Sequence, residues 1–216
     1  MMPSTKGTCG GSAACPFTVR SALLRYLTVF CGASPGHRDA HREAAVSLGA
    51  SLAAAGYGLV YGGASTGLMG AVADAALAAG APVVGVIPRG LVQHEIAHRG
   101  LTGLHIVDTM HERKALMAQL GDGFVVMPGG FGTLEETFEI LTWTQLGLHE
   151  KPCALLNVAG YWTPLLLFLR HAAEEGFVHR RFLDNIAVCD APDEALRRLT
   201  AYRPLPHLFA PVSVEA

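Results

Sequence analysis

Lysine is scarce in this chain of 216 residues, where Lys6, Lys114 and Lys151 stand against thirteen arginines, 16 basic residues less three. With a net charge of -2 and no basic stripe, the composition excludes a general attraction to polyanions, so no nucleic-acid partner is expected. The five cysteines (Cys9, Cys15, Cys31, Cys153, Cys189) form no CxxC pair, which excludes a disulfide framework and a structural zinc site and fits a reducing compartment. No apolar run reaches the roughly 18 residues that a membrane helix needs, so no membrane partner is expected. The first 25 residues, rich in small residues, lack the charged start and apolar stretch of a secretory signal. A cytoplasmic protein with a weakly structured tail over 1–25 is the expectation.

Charged residues make up only 16% of the chain and hydrophobic ones 50%, which suits strands covered by helices on both faces. From Tyr26 onward, short apolar runs at 27–31, 58–61, 82–87, 103–107, 124–127, 153–158 and 186–189 alternate with longer amphipathic ones. Helices are expected over 37–56, 66–80, 110–120, 133–146, 161–175 and 192–202, several of them stopping at a glycine. Runs 82–87 and 103–107 are joined without a convincing helix. This order predicts an α/β fold, a Rossmann-like doubly wound, mostly parallel sheet of about seven strands in one domain over 26–203, with a tail over 204–216. Ligands of such folds sit at the carboxyl ends of strands.

Three junctions after strands carry the small residues that a ligand floor needs: CGASPG (31–36), YGGASTGLMG (61–70) and PGGFGT (128–133). Each alone could be no more than a strand-to-helix turn. A dinucleotide GxGxxG fails because Glu135 stands where its third glycine should be, and no lysine follows a glycine as a P-loop requires. Two carboxylates, Glu135 and Glu136, follow the third loop directly. Thr133-x-x-Glu136 also spells a helix-capping box, which competes with a catalytic reading of Glu136. In MHERK (110–114), Arg113 and Lys114 are consecutive and so point about 100° apart on a helix. They are either a solvated pair or the positive charge that a phosphate beside those carboxylates would require.

HEIAH (94–98) matches the zinc pattern HExxH, but Pro88, Gly90 and Gly100 flank it and no third ligand is identifiable, so no metal is expected. Cys31 and Cys153 read as small core residues, and Phe138 and Trp143 as core or dimer contacts.

PGGFGTLEE fits the pattern PGGxGTxxE and MHERK fits MHxRK. With GLMG (67–70), these motifs resemble the LONELY GUY family of cytokinin-activating phosphoribohydrolases, long mislabelled as lysine decarboxylases, over roughly residues 27–199. The resemblance implies a homodimeric Rossmann-like enzyme that hydrolyses the N-glycosidic bond of adenosine-type nucleoside 5′-monophosphates, AMP or cytokinin riboside monophosphates, to free base and ribose 5-phosphate, without a cofactor. It implies Arg113 and Glu136 as the catalytic pair, and phosphate binding by Gly129, Gly130, Gly132 and Thr133. Ser34, Gly62, Gly63, Met110 and Lys114, on the flanking loops and in MHERK, are the other substrate-binding candidates. Ala33 and Ala64 depart from the CGSS and GGG common in the family. Two other readings compete: a carrier or sensor of a nucleotide or of molybdenum cofactor, and a decarboxylase, which would need a lysine holding pyridoxal phosphate.

Overall fold

The short apolar runs form strands because Val, Leu and Ile fill both faces of the inner ones, and a strand apolar on both faces needs cover from both sides. In the computed structural model, which describes residues 26–92 and 97–209, seven strands alternate with helices. They are β1 (Tyr26–Phe30), β2 (Gly58–Tyr61), β3 (Val83–Pro88), β4 (Gly103–Val107), β5 (Gly123–Val126), β6 (Cys153–Leu156) and β7 (Ala187–Cys189). The helices are α1 (Asp39–Ala54), α2 (Gly67–Ala78), α3 (Met110–Leu120), α4 (Phe131–Leu146), α5 (Thr163–Glu174), α6 (Arg180–Asp184) and α7 (Pro192–Thr200).

All pairings between these strands are parallel, and the spatial order is β4-β3-β2-β1-β5-β6-β7. The strand order reverses between β1 and β5, where Leu27 pairs with Gly123 and Phe30 with Val126. That neighbour pair is the switch point at which open α/β sheets bind ligands. Alternation along the strands divides the core in two. Leu27, Val29, Leu59, Val125 and Leu156 pack under α1, α2 and α7. Phe30, Val60, Phe124, Val126 and Leu155 face Met117 of α3, Ile140 of α4 and Trp162 before α5. Two buried layers on one sheet are what hold its carboxyl edge rigid.

Gly56 and Gly80, expected as helix stops, follow α1 and α2 with φ of 77° and 87°. Among the described residues no α-helix joins β3 to β4, in line with the expected loop, and a short 3-10 turn at Arg89–Leu91 begins that connection. Two differences matter. Helix α4 begins at Phe131 with Gly130 as its N-cap, two residues before the expected start at Thr133, and the Leu134 N–H donates to the Gly130 carbonyl at 3.0 Å. Thr133 therefore lies inside the first turn, and the capping box at Thr133 and Glu136 does not form. Strand β6 also ends at Leu156, because Val158–Gly160 turns sharply with Ala159 at φ 51°. Helix α6, five residues between α5 and β7, has no counterpart among the expected elements.

Of the expected tail over 204–216, residues to 209 are described, and the Leu208 N–H donates to the Gln145 carbonyl of α4 at 2.9 Å. The expected N-terminal tail and most of HEIAH lie outside the described residues. Among the described residues, no helix is long and apolar enough to cross a membrane.

Candidate active site

Glycine at position 62 has a steric cause: a Cβ there would overlap the Arg113 guanidinium. Arg113 is buried at 4% exposure, and its position is set by two carbonyls at the carboxyl ends of neighbouring strands. Its Nε donates to Val86 O and its Nη2 to Gly62 O, both at 3.0 Å. Those bonds leave Nη1 turned toward Glu136 of α4, whose Oε1 is 3.9 Å away. Glu136 is 5% exposed, so this acid and base face each other largely out of water, where their interaction is screened least.

Beside the pair, the loops after β1 and β5 are zipped together: the Gly32 N–H donates to Pro128 O at 3.0 Å. Gly129 is required there, since a Cβ would overlap the Thr133 hydroxyl, whereas a Cβ at Gly130 or Gly132 would meet open space. Packing within the chain therefore gives no reason for glycine at 130 and 132. No side chain caps α4, so the N–H groups of its first turn and the positive end of its dipole are presented where Gly130 and Gly132 leave room.

These elements enclose a cleft of about 650 Å3, of the size that takes a nucleotide-sized ligand. Arg113, Glu136, Gly129, Gly130, Gly132, Thr133, Met110 and Ser34 all line it. Gly62, Gly63 and Lys114 do not. Gly62 instead holds Arg113, and Gly63 accepts the His98 N–H at 3.0 Å. Lys114 is buried between helices, its Nζ 2.6 Å from Glu135 Oε1 and 3.1 Å from Glu139 Oε1. Burial alone would lower its pKa; the hydrogen bonds and charges of the two carboxylates outweigh that and hold it above the ordinary lysine value. Neither Arg113 nor Lys114 is a solvated surface residue.

The cleft has walls that no motif signalled. His37, Arg38 and His41, at the entry to α1 and in its first turn, form one side, and Tyr161 closes the end. The Tyr161 hydroxyl donates to Gly129 O at 2.5 Å, bracing the glycine loop from outside. His41 is buried edge-on to the Tyr161 ring, their centroids 5.7 Å apart. The only signal available was position, since these residues too follow strand ends.

Cys31, on the cleft floor, is no nucleophile: burial first, then the Glu136 carboxylate, push its thiol far above the ordinary value, with Arg113 opposing. Burial likewise raises Cys153 to about 12. The Lys151 amine donates to Ala118 O and Gly121 O at 2.6 Å, closing the carboxyl end of α3. Among the described residues no group of three His, Cys, Asp or Glu is arranged to hold a metal. Of HEIAH, His98 is described, and its Nε2 lies 2.8 Å from Asp74. A tighter cavity of about 240 Å3, walled by Leu141, Leu169 and Phe182, contains neither Arg113 nor Glu136.

The family model described as "Possible lysine decarboxylase" matches residues 69–199. A cytokinin riboside 5′-monophosphate phosphoribohydrolase of Rhodococcoides fascians is 53% identical over 179 residues, covering 81% of this chain and 90% of that protein. A protein of the same description from Arabidopsis thaliana is 42% identical, covering 87% of each chain. Among solved structures, the molybdenum cofactor binding protein of Rippkaea orientalis superposes with a TM-score of 0.63 at 19% identity, over 82% of this chain and 96% of that one. The molybdenum cofactor carrier of Chlamydomonas reinhardtii gives 0.63 at 20% identity, over 82% and 98%. At that identity the likeness concerns the fold.

Proposed function

The chain belongs to the LONELY GUY family, and from that membership we propose that it is a hydrolase of N-glycosyl bonds acting on adenosine-type nucleoside 5′-monophosphates. The observation that carries this reading is the buried Arg113–Glu136 pair beside a glycine loop and an uncapped helix start. The 5′-phosphate sits against Gly129, Gly130, Gly132 and Thr133, where backbone N–H groups and the α4 dipole favour an anion. Ser34 and Met110, which also line the cleft, contact the substrate.

That placement brings the ribose C1′ toward Glu136. Breaking the C1′–N bond to the base builds positive charge on the sugar, which a fixed carboxylate in a dry site stabilises. Water adds its oxygen to C1′ as the bond electrons leave with the base. Glu136 takes one water proton, which ends on the base nitrogen and leaves the carboxylate free again, while the other stays on the new C1′ hydroxyl. Arg113 faces the carboxylate and neutralises the doubly anionic end of the substrate. Free base and ribose 5-phosphate are the products.

The carrier reading draws on fold likeness alone, while the enzyme reading has both an acid-base pair and relatives above 40% identity behind it. A decarboxylase would need a lysine facing the cleft, and Lys114 and Lys151, the lysines among the described residues, have their amines engaged elsewhere. The protein works as a homodimer through the outer faces of α4 and α5, where Phe138, Leu146, Leu167 and Phe168 stand exposed. Light scattering at micromolar concentration tests the dimer; a monomer mass rejects it. Incubation with AMP and with isopentenyladenosine monophosphate, followed by chromatography of the base, tests the reaction. Release from at least one is expected, and none from either would reject hydrolysis in favour of a carrier.

A further inference from the structure

The Arg113–Glu136 contact, at 3.9 Å, is too long to fasten two helices, since charge-assisted hydrogen bonds run at about 2.7–2.9 Å. Something else must set how far α4 stands from α3. The next residue along α3 does so. Lys114 reaches across to α4 and meets Glu135 at 2.6 Å and Glu139 at 3.1 Å, two carboxylates one helical turn apart that bracket Glu136 in sequence. An ammonium withdrawn from water is costly unless it is paired, and this one, 5% exposed, is paired twice. Its amine is thereby turned away from the cleft that Arg113 and Glu136 line.

We propose that Lys114 is a positioning residue, a clamp with Glu135 and Glu139 that fixes the separation and aim of the Arg113–Glu136 pair without touching substrate. This rests on the hydrolysis proposed above. Loss of the clamp leaves two carboxylates facing each other across an unfilled site, and α4 moves relative to Arg113, whose own place is kept by Val86 and Gly62. The consequence falls on the chemical step more than on binding, because the glycine loop that holds phosphate travels with α4.

Three variants test this: Lys114→Met, Lys114→Arg and the double substitution Glu135→Gln/Glu139→Gln. Lys114→Met and the double variant are both expected to lower kcat about 30- to 100-fold with KM within about threefold, as for a misplaced catalytic group. Lys114→Arg recovers most of the rate. A lysine that binds phosphate would behave in the opposite way: Lys114→Met would raise KM, and the double variant, releasing the amine, would lower it. Either that pattern, or a lower melting temperature with kcat unchanged, overturns the clamp.

A readout independent of turnover is hydrogen exchange at the Arg113 Nε–H, followed by NMR. It is expected to be about tenfold faster in Lys114→Met than in wild type or Lys114→Arg, since a displaced α4 no longer covers the Arg113 side chain and water reaches its Nε–H whenever the bond to Val86 briefly opens. Equal exchange in all three overturns the clamp, whereas a wild type that releases no base overturns only the reaction.

Discussion

Helices α3 and α4 enter the cleft side by side, yet their first turns are finished in opposite ways. At α3 the chain satisfies itself: Thr109 Oγ1 accepts the Glu112 N–H at 3.1 Å, and Glu112 reaches back to the Asp108 N–H at 3.0 Å. At α4 the N-cap is Gly130, and no side chain accepts from the turn. A finished first turn frees α3 to present side chains, Arg113 above all. An unfinished one leaves α4 to present its backbone. The difference shows how one cleft offers both a fixed guanidinium and a row of N–H donors without either competing for the other's ligand.

The division breaks most completely at the residue on α4 that is not backbone. Glu136→Gln is expected to lower kcat for base release about 10^3-fold with little change in KM, measured with a cleavable monophosphate. Next comes giving α4 the cap it lacks. Gly130→Asp places a carboxylate where a Cβ meets open space, so the fold is kept while KM for the monophosphate rises about 10- to 100-fold. An unchanged KM would mean that phosphate does not bind there.

Removing the cap that α3 does have should act on stability. Thr109→Ala is expected to cost about 1 kcal/mol in denaturant unfolding and to leave KM within about twofold. A last effect, set by pH, lies at the far end of α4. Past the carboxyl end of α4, His149 has its pKa lowered from 6.5 to about 4, by burial first and by nearby Lys151 second. Between those values the unfolded chain binds a proton that the folded one does not, so stability is complete above about pH 6.5 and declines as pH falls toward 4. Urea midpoints across that range should fall in wild type and flatten in His149→Phe.

Much of this was legible in the sequence. Seven apolar runs, most of them bounded by glycine or proline, marked the strands of a sheet covered by helices, although β4 at its edge leaves Leu104 and Ile106 exposed, and PGGFGT and MHERK marked two edges of the cleft. What escaped has physical reasons. Thr133-x-x-Glu136 matches a capping box as well as Thr109-x-x-Glu112 does, and local pattern cannot say which threonine precedes the first turn. That Lys114 stands outside the cleft lining was not legible, because its partners lie 21 and 25 residues on, taking 114 from 135 and from 139, and no spacing rule reaches across two helices. Arg38, His41 and Tyr161 belong to no motif, and only the folded sheet edge gathers them.

The neighbour relation between β1 and β5 also governs the order in which this molecule can be made. Leu27 waits for Gly123, 96 residues later, before that flank of β1 is covered, and Arg113 and Glu136 straddle the arrival of β5. A chain emerging from the ribosome therefore carries a half-sheet with an open edge until its sixth tenth has been synthesised, so closure of that edge is a slow, long-range step. Aggregation during synthesis should peak over that interval, fall when β5 docks and fall again as β6 and β7 cover the edges left after it, while α4, arriving just behind β5, brings the cleft its second wall.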